Sequence, residues 1–262
     1  MGKIFVIANQ KGGVGKTAVT VGVTFRAKDH KLRVLIVDFD RQGSASGVFE
    51  TKNDESAAVA SFSHELFGED PEAVIVPEDL GGGLHILRAD PTLSTLTAEN
   101  IDFIRRPAHH LRKLAKGYDV VIVDTPGILG DNPPMTLAAL IAADAVVCPF
   151  SVGRFELDAL PDLLEYIVGI KKNGFNPRLR LMGLLPSKIN TKSANERQAV
   201  DEVREVYGDA VLPCELAERS AVKQAIYHRK PVWRGTRGEG HRKAAQEWMA
   251  VTDFLLKDLG VL

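Results

Sequence analysis

The sequence is poor in cysteine and in net charge and has no long apolar run, and each shortage narrows the classes of function. Cys148 and Cys214 are the two cysteines in 262 residues, and both sit in apolar runs (Ala-Val-Val-Cys and Val-Leu-Pro-Cys). Such a pair makes neither a disulfide framework nor a metal-ligand set, so a reducing cytoplasm is the expected compartment. No apolar run approaches the ~18–20 residues of a membrane-spanning helix. The amino terminus, Met-Gly-Lys-Ile-Phe-Val-Ile-Ala, meets a polar break too soon for a secretory signal and reads as a first strand. There is no internal repeat and no low-complexity tail.

What is present is an ordinary globular composition, 45% hydrophobic and 26% charged, in a chain long enough to bury a core without staples. Lys+Arg 33 against Asp+Glu 34 gives a net charge of -1, which by itself selects neither nucleic acid nor membrane. The average conceals two opposed blocks. Residues 50–79 hold nine acids (Glu50, Asp54, Glu55, Glu65, Glu69, Asp70, Glu72, Glu78, Asp79) against Lys52, a net of -8. Residues 219–243 hold eight bases (Arg219, Lys223, Arg229, Lys230, Arg234, Arg237, Arg242, Lys243) against Glu239, a net of +7. The second block keeps nucleic acid open as a partner.

Short apolar runs alternate with amphipathic stretches, the pattern of a mostly parallel sheet covered by helices on both faces. Strands are expected at Ile4–Ala8, Val34–Asp38, Leu84–Arg88, Val120–Asp124, Ala145–Phe150, Arg180–Leu185 and Val211–Cys214. Several are apolar at successive positions, as strands buried on both faces are. Helices are expected at Thr17–Lys28, Asn100–Lys116, Thr136–Ala143, Glu156–Lys172, Ala194–Tyr207 and Gly240–Lys257. The acidic stretch Thr51–Gly83 reads as a helix or two and a surface loop. No linker divides the chain, so residues 1–262 are expected to form one domain of α/β class.

Between the first strand and first helix lies Lys11-Gly12-Gly13-Val14-Gly15-Lys16-Thr17. Glycines let the backbone wrap closely, so successive N–H groups converge on phosphate oxygens at a helix N-terminus. Gly12, Gly13, Val14 and Gly15 would cradle the phosphates of ATP or ADP. Lys16 would reach the β- and γ-phosphates, and the Thr17 hydroxyl would ligate Mg²⁺. Two further carboxylate clusters face the same edge of a parallel sheet. The second strand ends Val37-Asp38-Phe39-Asp40-Arg41-Gln42-Gly43, and Val120–Val123 is closed by Asp124. Asp124 is placed to hold Mg²⁺ through its water shell.

The early lysine makes the loop a variant, and K-G-G-x-G-K-[ST] resembles that of the ParA/MinD family of deviant Walker A ATPases. The resemblance implies a P-loop NTPase fold and an ATP-dependent homodimer in which Lys11 reaches the nucleotide of the other subunit. Asp38–Gly43 resembles the family's D-x-D-P-Q-G switch, with Arg41 in place of the proline. On that likeness Asp40 handles the attacking water, and Asp38 helps hold Mg²⁺ and the loop lysine. Thr125–Gly130 resembles the second switch, with Gly127 where a second proline is frequent. Leu184–Asn190 resembles the strand and loop that wrap the adenine, which makes Pro186 and Lys188 nucleotide contacts. Ser220–Ala225 and Lys230–Val232 resemble the closing segment of partition ATPases, so the likeness runs along nearly the whole chain.

In small partition ATPases the ATP-bound dimer binds DNA without sequence preference, and a ParB-like centromere-binding protein stimulates hydrolysis. Arg219, Lys223, Arg229, Lys230, Arg234, Arg237, Arg242 and Lys243 suit that contact, because phosphates require charge rather than base-reading geometry. A cytoplasmic, nucleoid-associated protein without membrane contact is implied. With the phosphate loop ten residues in, operator recognition is left to a partner. The alternative is a MinD-like membrane-cycling ATPase, which needs an amphipathic anchor. Trp248, Val251, Leu255 and Leu259 have helical spacing, but the bases lie upstream of them, which favours a core-facing terminal helix. A decayed binding module would not retain Lys11, Lys16, Thr17, Asp38, Asp40 and Asp124 together. Iron–sulfur relatives with this loop need cysteine ligands that Cys148 and Cys214 do not supply.

Overall fold

A computed structural model describes residues 1–52, 54–98, 100–130, 132–153 and 157–262. Eight strands form one sheet: β1 (Lys3–Ile7), β2 (Val34–Asp38), β3 (Glu78–Asp79), β4 (Leu84–Leu87), β5 (Val120–Asp124), β6 (Ala145–Phe150), β7 (Arg180–Ile189) and β8 (Leu216–Ala217). Their order is β3-β4-β2-β5-β1-β6-β7-β8, parallel throughout except for the β3–β4 edge pair. The helices are α1 (Lys16–Asp29), α2 (Ser44–Val48), α3 (Asp54–Ala58), α4 (Ile101–Leu114), α5 (Met135–Ala142), α6 (Leu160–Lys172), α7 (Ala194–Tyr207), α8 (Ser220–Tyr227) and α9 (Gly238–Leu259).

Alternate residues of each central strand feed two different cores, which is why whole strands are apolar. Ile4, Val6, Leu35, Val37, Val121 and Val123 pack under α4, α5 and α6. Phe5, Ile7, Val34, Ile36, Val120 and Ile122 pack under α1, α8 and α9. The terminal helix α9 lies against α1 at Gly22, where an added Cβ would come within 2.6 Å of the Trp248 ring. Trp248, Val251, Leu255 and Leu259 are all buried there, as the spacing of the tail requires of a core-facing helix.

Several expectations need correction. The run Val211–Cys214 makes only a single bridge, Val211 to Leu184. Leu212 still donates its N–H to Leu184, but Pro213 has none to give, so pairing resumes at Leu216–Ala217. β7 runs on to Ile189, four residues past the expected Leu185, with a register shift between Ser187 and Ile189 where Lys188 takes φ 58. The acidic stretch contributes α3, a short 3-10 turn at Ser63–Phe67 and the antiparallel edge β3. The helix expected from Glu156 is observed from Leu160; Glu156 itself lies outside the described residues.

Candidate nucleotide-binding site

The strand order places β2, β5 and β1 side by side, with Asp38 opposite Asp124 and Asp124 opposite Ile7 in register. Whatever follows these three strands must therefore share one crevice at their carboxyl ends. Asn9 starts the loop after β1: its amide donates to the Pro149 carbonyl at 2.8 Å, and its side-chain oxygen accepts the Lys11 N–H at 2.8 Å. Gly15 takes φ 98, and a Cβ there would stand 2.8 Å from the Ser187 hydroxyl, so only glycine fits. Lys16 opens α1 and folds back over the loop, its Nζ donating to the Lys11 carbonyl at 2.9 Å. Burial pulls the Lys16 ammonium pKa down, against the opposing pull of Asp124 and Asp40.

Thr17 and Thr20, one helical turn apart, divide the two oxygens of Asp124 between them. Thr17 Oγ1 donates to Oδ2 at 2.8 Å and Thr20 Oγ1 to Oδ1 at 2.9 Å. Burial pushes the Asp124 carboxyl up to about 7, and the neighbouring Asp38 charge adds to the shift. Asp38, also raised by burial, turns the other way. Its Oδ2 accepts both the N–H and the hydroxyl of Ser46 at 2.7 Å, and its Oδ1 accepts the Asp40 N–H at 3.1 Å. It thus braces the segment that carries Asp40, whose own carboxylate accepts the Gln42 N–H at 3.0 Å.

Of the three groups expected on the metal side, Asp38 has both oxygens taken by Ser46 and Asp40, which leaves Thr17 and Asp124 as the pair that would meet Mg²⁺. Among the described residues no three His, Cys, Asp or Glu side chains gather at one point. One hydroxyl and one carboxylate, all oxygen, suit an ion that arrives on phosphate oxygens and keeps several waters.

A cleft of about 370 Å³ opens over the loop. Gly12, Gly13, Gly15, Lys16, Thr17, Asp40 and Lys188 line it. Val14, Pro186, Asp38 and Asp124 are buried behind its wall. Lys11 instead faces a separate groove with Gln10, Asp158 and Asp162. The apolar end of the cleft comes from Leu216, Ala217, Val222, Ile226 and Trp248, residues that packing of β8, α8 and α9 alone brings together. Gly127 from the loop after β5 closes the other side. A Cβ at Gly127 would lie 3.2 Å from both Lys16 Nζ and the Gly12 nitrogen.

The basic block is dispersed over two surfaces. Arg219 pairs with Glu247 at 3.0 Å and Lys223 with Glu218 at 2.7 Å, and both bases line the nucleotide cleft. Arg234 pairs with Asp29, Lys243 with Glu239, and Arg229 with Glu50. Among the described residues Lys230, Arg237 and Arg242 have no acid within 4.0 Å, and Lys230 and Arg237 line an open cavity of about 860 Å³ beside the cleft. The acidic block is largely answered by bases from elsewhere: Glu69 meets Arg106, Glu72 meets Lys113, and Glu78 meets Arg88.

Residues 2–181 match the AAA domain family. The chain is 33% identical over 250 residues to the chromosome-partitioning ATPase Soj of Thermus thermophilus, covering 93% of this chain and 94% of Soj. It is 31% identical over 238 residues to the chromosome partitioning protein ParA of Myxococcus xanthus, covering 88% and 81%. Cobyrinic acid a,c-diamide synthase from Mycobacterium smegmatis, solved with a bound ATP analog and magnesium, superposes with a TM-score of 0.77. It is 26% identical, covering 98% of this chain and 95% of that one, and it carries the nucleotide and metal pair expected here from the sequence. Across fold, phosphate loop and both carboxylate strands, the chain belongs to the ParA/MinD family of partition ATPases.

Proposed function

We propose that residues 1–262 work as one unit, the Mg²⁺-dependent ATPase of a DNA-partition system. The observation that carries this reading is the convergence of Lys16, Thr17, Asp40 and Asp124 on one crevice, with Lys11 turned to a separate groove. Lys16 and the loop N–H groups bind the β- and γ-phosphates, and Asp40 orients the attacking water. Magnesium, when bound, neutralises the charge on the transferring phosphoryl group, with Thr17 and Asp124 on its protein side. Lys11, which lines a separate groove rather than the cleft of its own chain, serves the nucleotide of a second copy in an ATP-dependent homodimer. The dimer binds DNA without sequence preference through the bases of residues 219–243 and is released on hydrolysis, which a ParB-like partner stimulates. Nucleoid association follows from that binding.

The membrane-cycling alternative draws less support. The apolar stripe of α9 is buried in the core, and among the described residues no helix is long and apolar enough to cross a membrane. Two measurements on purified protein separate the readings: anisotropy of labelled duplex DNA, and pelleting with anionic liposomes, each with and without ATP. ATP-dependent DNA binding that weakens steeply with salt supports partition. Binding to liposomes but not to DNA overturns it.

A further inference from the structure

Arg229 joins the basic segment to the nucleotide site. It follows the end of α8 with φ 53, a left-handed conformation that favours glycine, and its N–H and that of Lys230 close the helix onto Ile226 and Ala225. From this turn the guanidinium reaches a distant part of the chain. Nε donates to the Gly47 carbonyl at 3.2 Å and Nη1 donates to Glu50. Gly47 and Glu50 belong to the segment behind Asp40. Ser44 of the same segment lines the nucleotide cleft, and Ser46 is bound by Asp38.

A second arginine also holds this segment. Arg88 donates to the Ser46 carbonyl at 2.6 Å and to Thr51 at 3.3 Å, and it is anchored by Glu78, a buried acid. The two grips differ in permanence. Arg88 is a fixed strut. The Arg229–Glu50 pair is about half exposed on both sides, so water, salt or another anion can replace either partner.

We propose that Arg229 has two alternative partners, the segment behind Asp40 or a DNA phosphate, and that this exchange couples nucleotide to DNA. A nucleotide touching Asp40 and Ser44 shifts the segment that Arg229 grips, and DNA drawing Arg229 away loosens the same segment. Each ligand therefore alters the affinity for the other by the same factor. The DNA arm of this exchange rests on the partition reading above; the nucleotide arm does not.

The test uses full-length protein with two substitutions, Glu50→Gln and Arg229→Gly. The first removes the negative charge that competes for the guanidinium, and the second removes the guanidinium while relieving the left-handed backbone, so its Tm should not fall. Two readouts are taken with and without a non-hydrolysable ATP analogue. These are anisotropy of duplex DNA, and the rate of Arg229 modification by phenylglyoxal, followed by mass spectrometry without DNA. Glu50→Gln should tighten analogue-free DNA binding about threefold and shrink the effect of the analogue. In wild type the analogue should speed Arg229 modification, whereas in Glu50→Gln modification should be fast under both conditions. Arg229→Gly should also show a reduced effect of the analogue on DNA affinity. Equal modification of Arg229 in wild type and Glu50→Gln, with or without analogue, overturns the exchange. If wild type binds no DNA in any condition, the partition reading fails separately, and the modification rates alone decide whether nucleotide moves Arg229.

Discussion

Thr17 and Asp124, 107 residues apart in sequence, are joined by a 2.8 Å hydrogen bond from hydroxyl to carboxylate. Thr20 occupies the other carboxylate oxygen, so a carboxyl raised by burial is held in one orientation before any cation arrives. The two threonines should therefore separate in function. Thr17→Ala removes a group proposed to meet the metal and should weaken Mg²⁺-dependent nucleotide binding by at least about tenfold, leaving metal-free binding near wild type. Thr20→Ala removes only the orienting bond and should lower Tm more than it lowers Mg²⁺ affinity. Titration calorimetry with and without Mg²⁺ checks both. Equal losses in the two variants would show that the metal does not lie on the Thr17 side.

In the proposed mechanism Lys16, Lys11 and Asp40 act at different stages, and their variants should fail differently. Lys16→Ala takes from the cleft the ammonium that folds back over the phosphate loop and should abolish nucleotide binding. Lys11→Ala, altering a side chain outside its own cleft, should leave nucleotide binding by the monomer intact and lose the dimer. Asp40→Ala should retain ATP in a long-lived dimer with turnover reduced about a hundredfold or more. Size-exclusion chromatography in ATP, with a turnover assay, reads all three. Normal turnover in the Asp40 variant would remove the water-handling role from that residue.

How much of this was readable before the structure depends on whether the determinant is local. β2, β5 and β6 have the expected boundaries because their apolar runs are closed by Asp38, Asp124 and Pro149-Phe150, signals contained in the run itself. The phosphate loop is legible for the same reason. α8 is not: it is eight residues long, has no side-chain cap at Arg219, and buries only Ala221 and Ala225. The apolar end of the cleft depends on α8 packing beside α1 and α9, so Val222, Ile226 and Trp248 carry no local sign of their role. The acidic block misleads on its own, since its partners Arg88, Arg106, Lys113 and Arg229 are set opposite it by the fold.

Gly127, in the loop after β5, sits close against the phosphate loop. Gly127→Ala adds a methyl 3.2 Å from Lys16 Nζ and from the Gly12 nitrogen, while φ at this site does not demand glycine. The loop, rather than the local backbone, must yield. The substitution should weaken ATP binding about tenfold through the displaced lysine, with Tm changed by no more than a few degrees. Nucleotide affinity against Tm distinguishes this from general destabilisation; a large Tm loss with normal affinity would refute it.

The Arg88–Glu78 pair gives a stability test with a defined sign. Hydrogen bonding from Arg88 holds the Glu78 carboxyl below its ordinary range. A depressed carboxyl contributes stability that is present above its unfolded pKa and is lost as pH falls through the lower folded value. Glu78→Gln should cost about 2 kcal/mol at neutral pH, because Arg88 is left with a buried, weaker acceptor. The difference from wild type should shrink as pH drops below about 4.5, the ordinary glutamate value, when wild type loses the same interaction. Urea unfolding at pH 7 and at pH 4 measures it. A gap that widens in acid would mean the pair does not stabilise the fold.

The ion pairing of the basic block ranks its members as DNA contacts. Lys243 is engaged by Glu239 one helical turn away, whereas Lys230 and Arg237 line an open cavity without an acid within 4.0 Å among the described residues. A phosphate meeting Lys243 must compete with Glu239; one meeting Lys230 or Arg237 displaces only water and counterions. Lys230→Ala and Arg237→Ala should each lower the slope of log K against log salt by about 1, and weaken binding uniformly across DNA sequences. Lys243→Ala should change the slope by less. Anisotropy at several salt concentrations, in the presence of ATP, supplies the slopes. Equal slopes for all three variants would place the DNA elsewhere on the surface, and the cavity between α8 and α9 would lose its assigned part in binding.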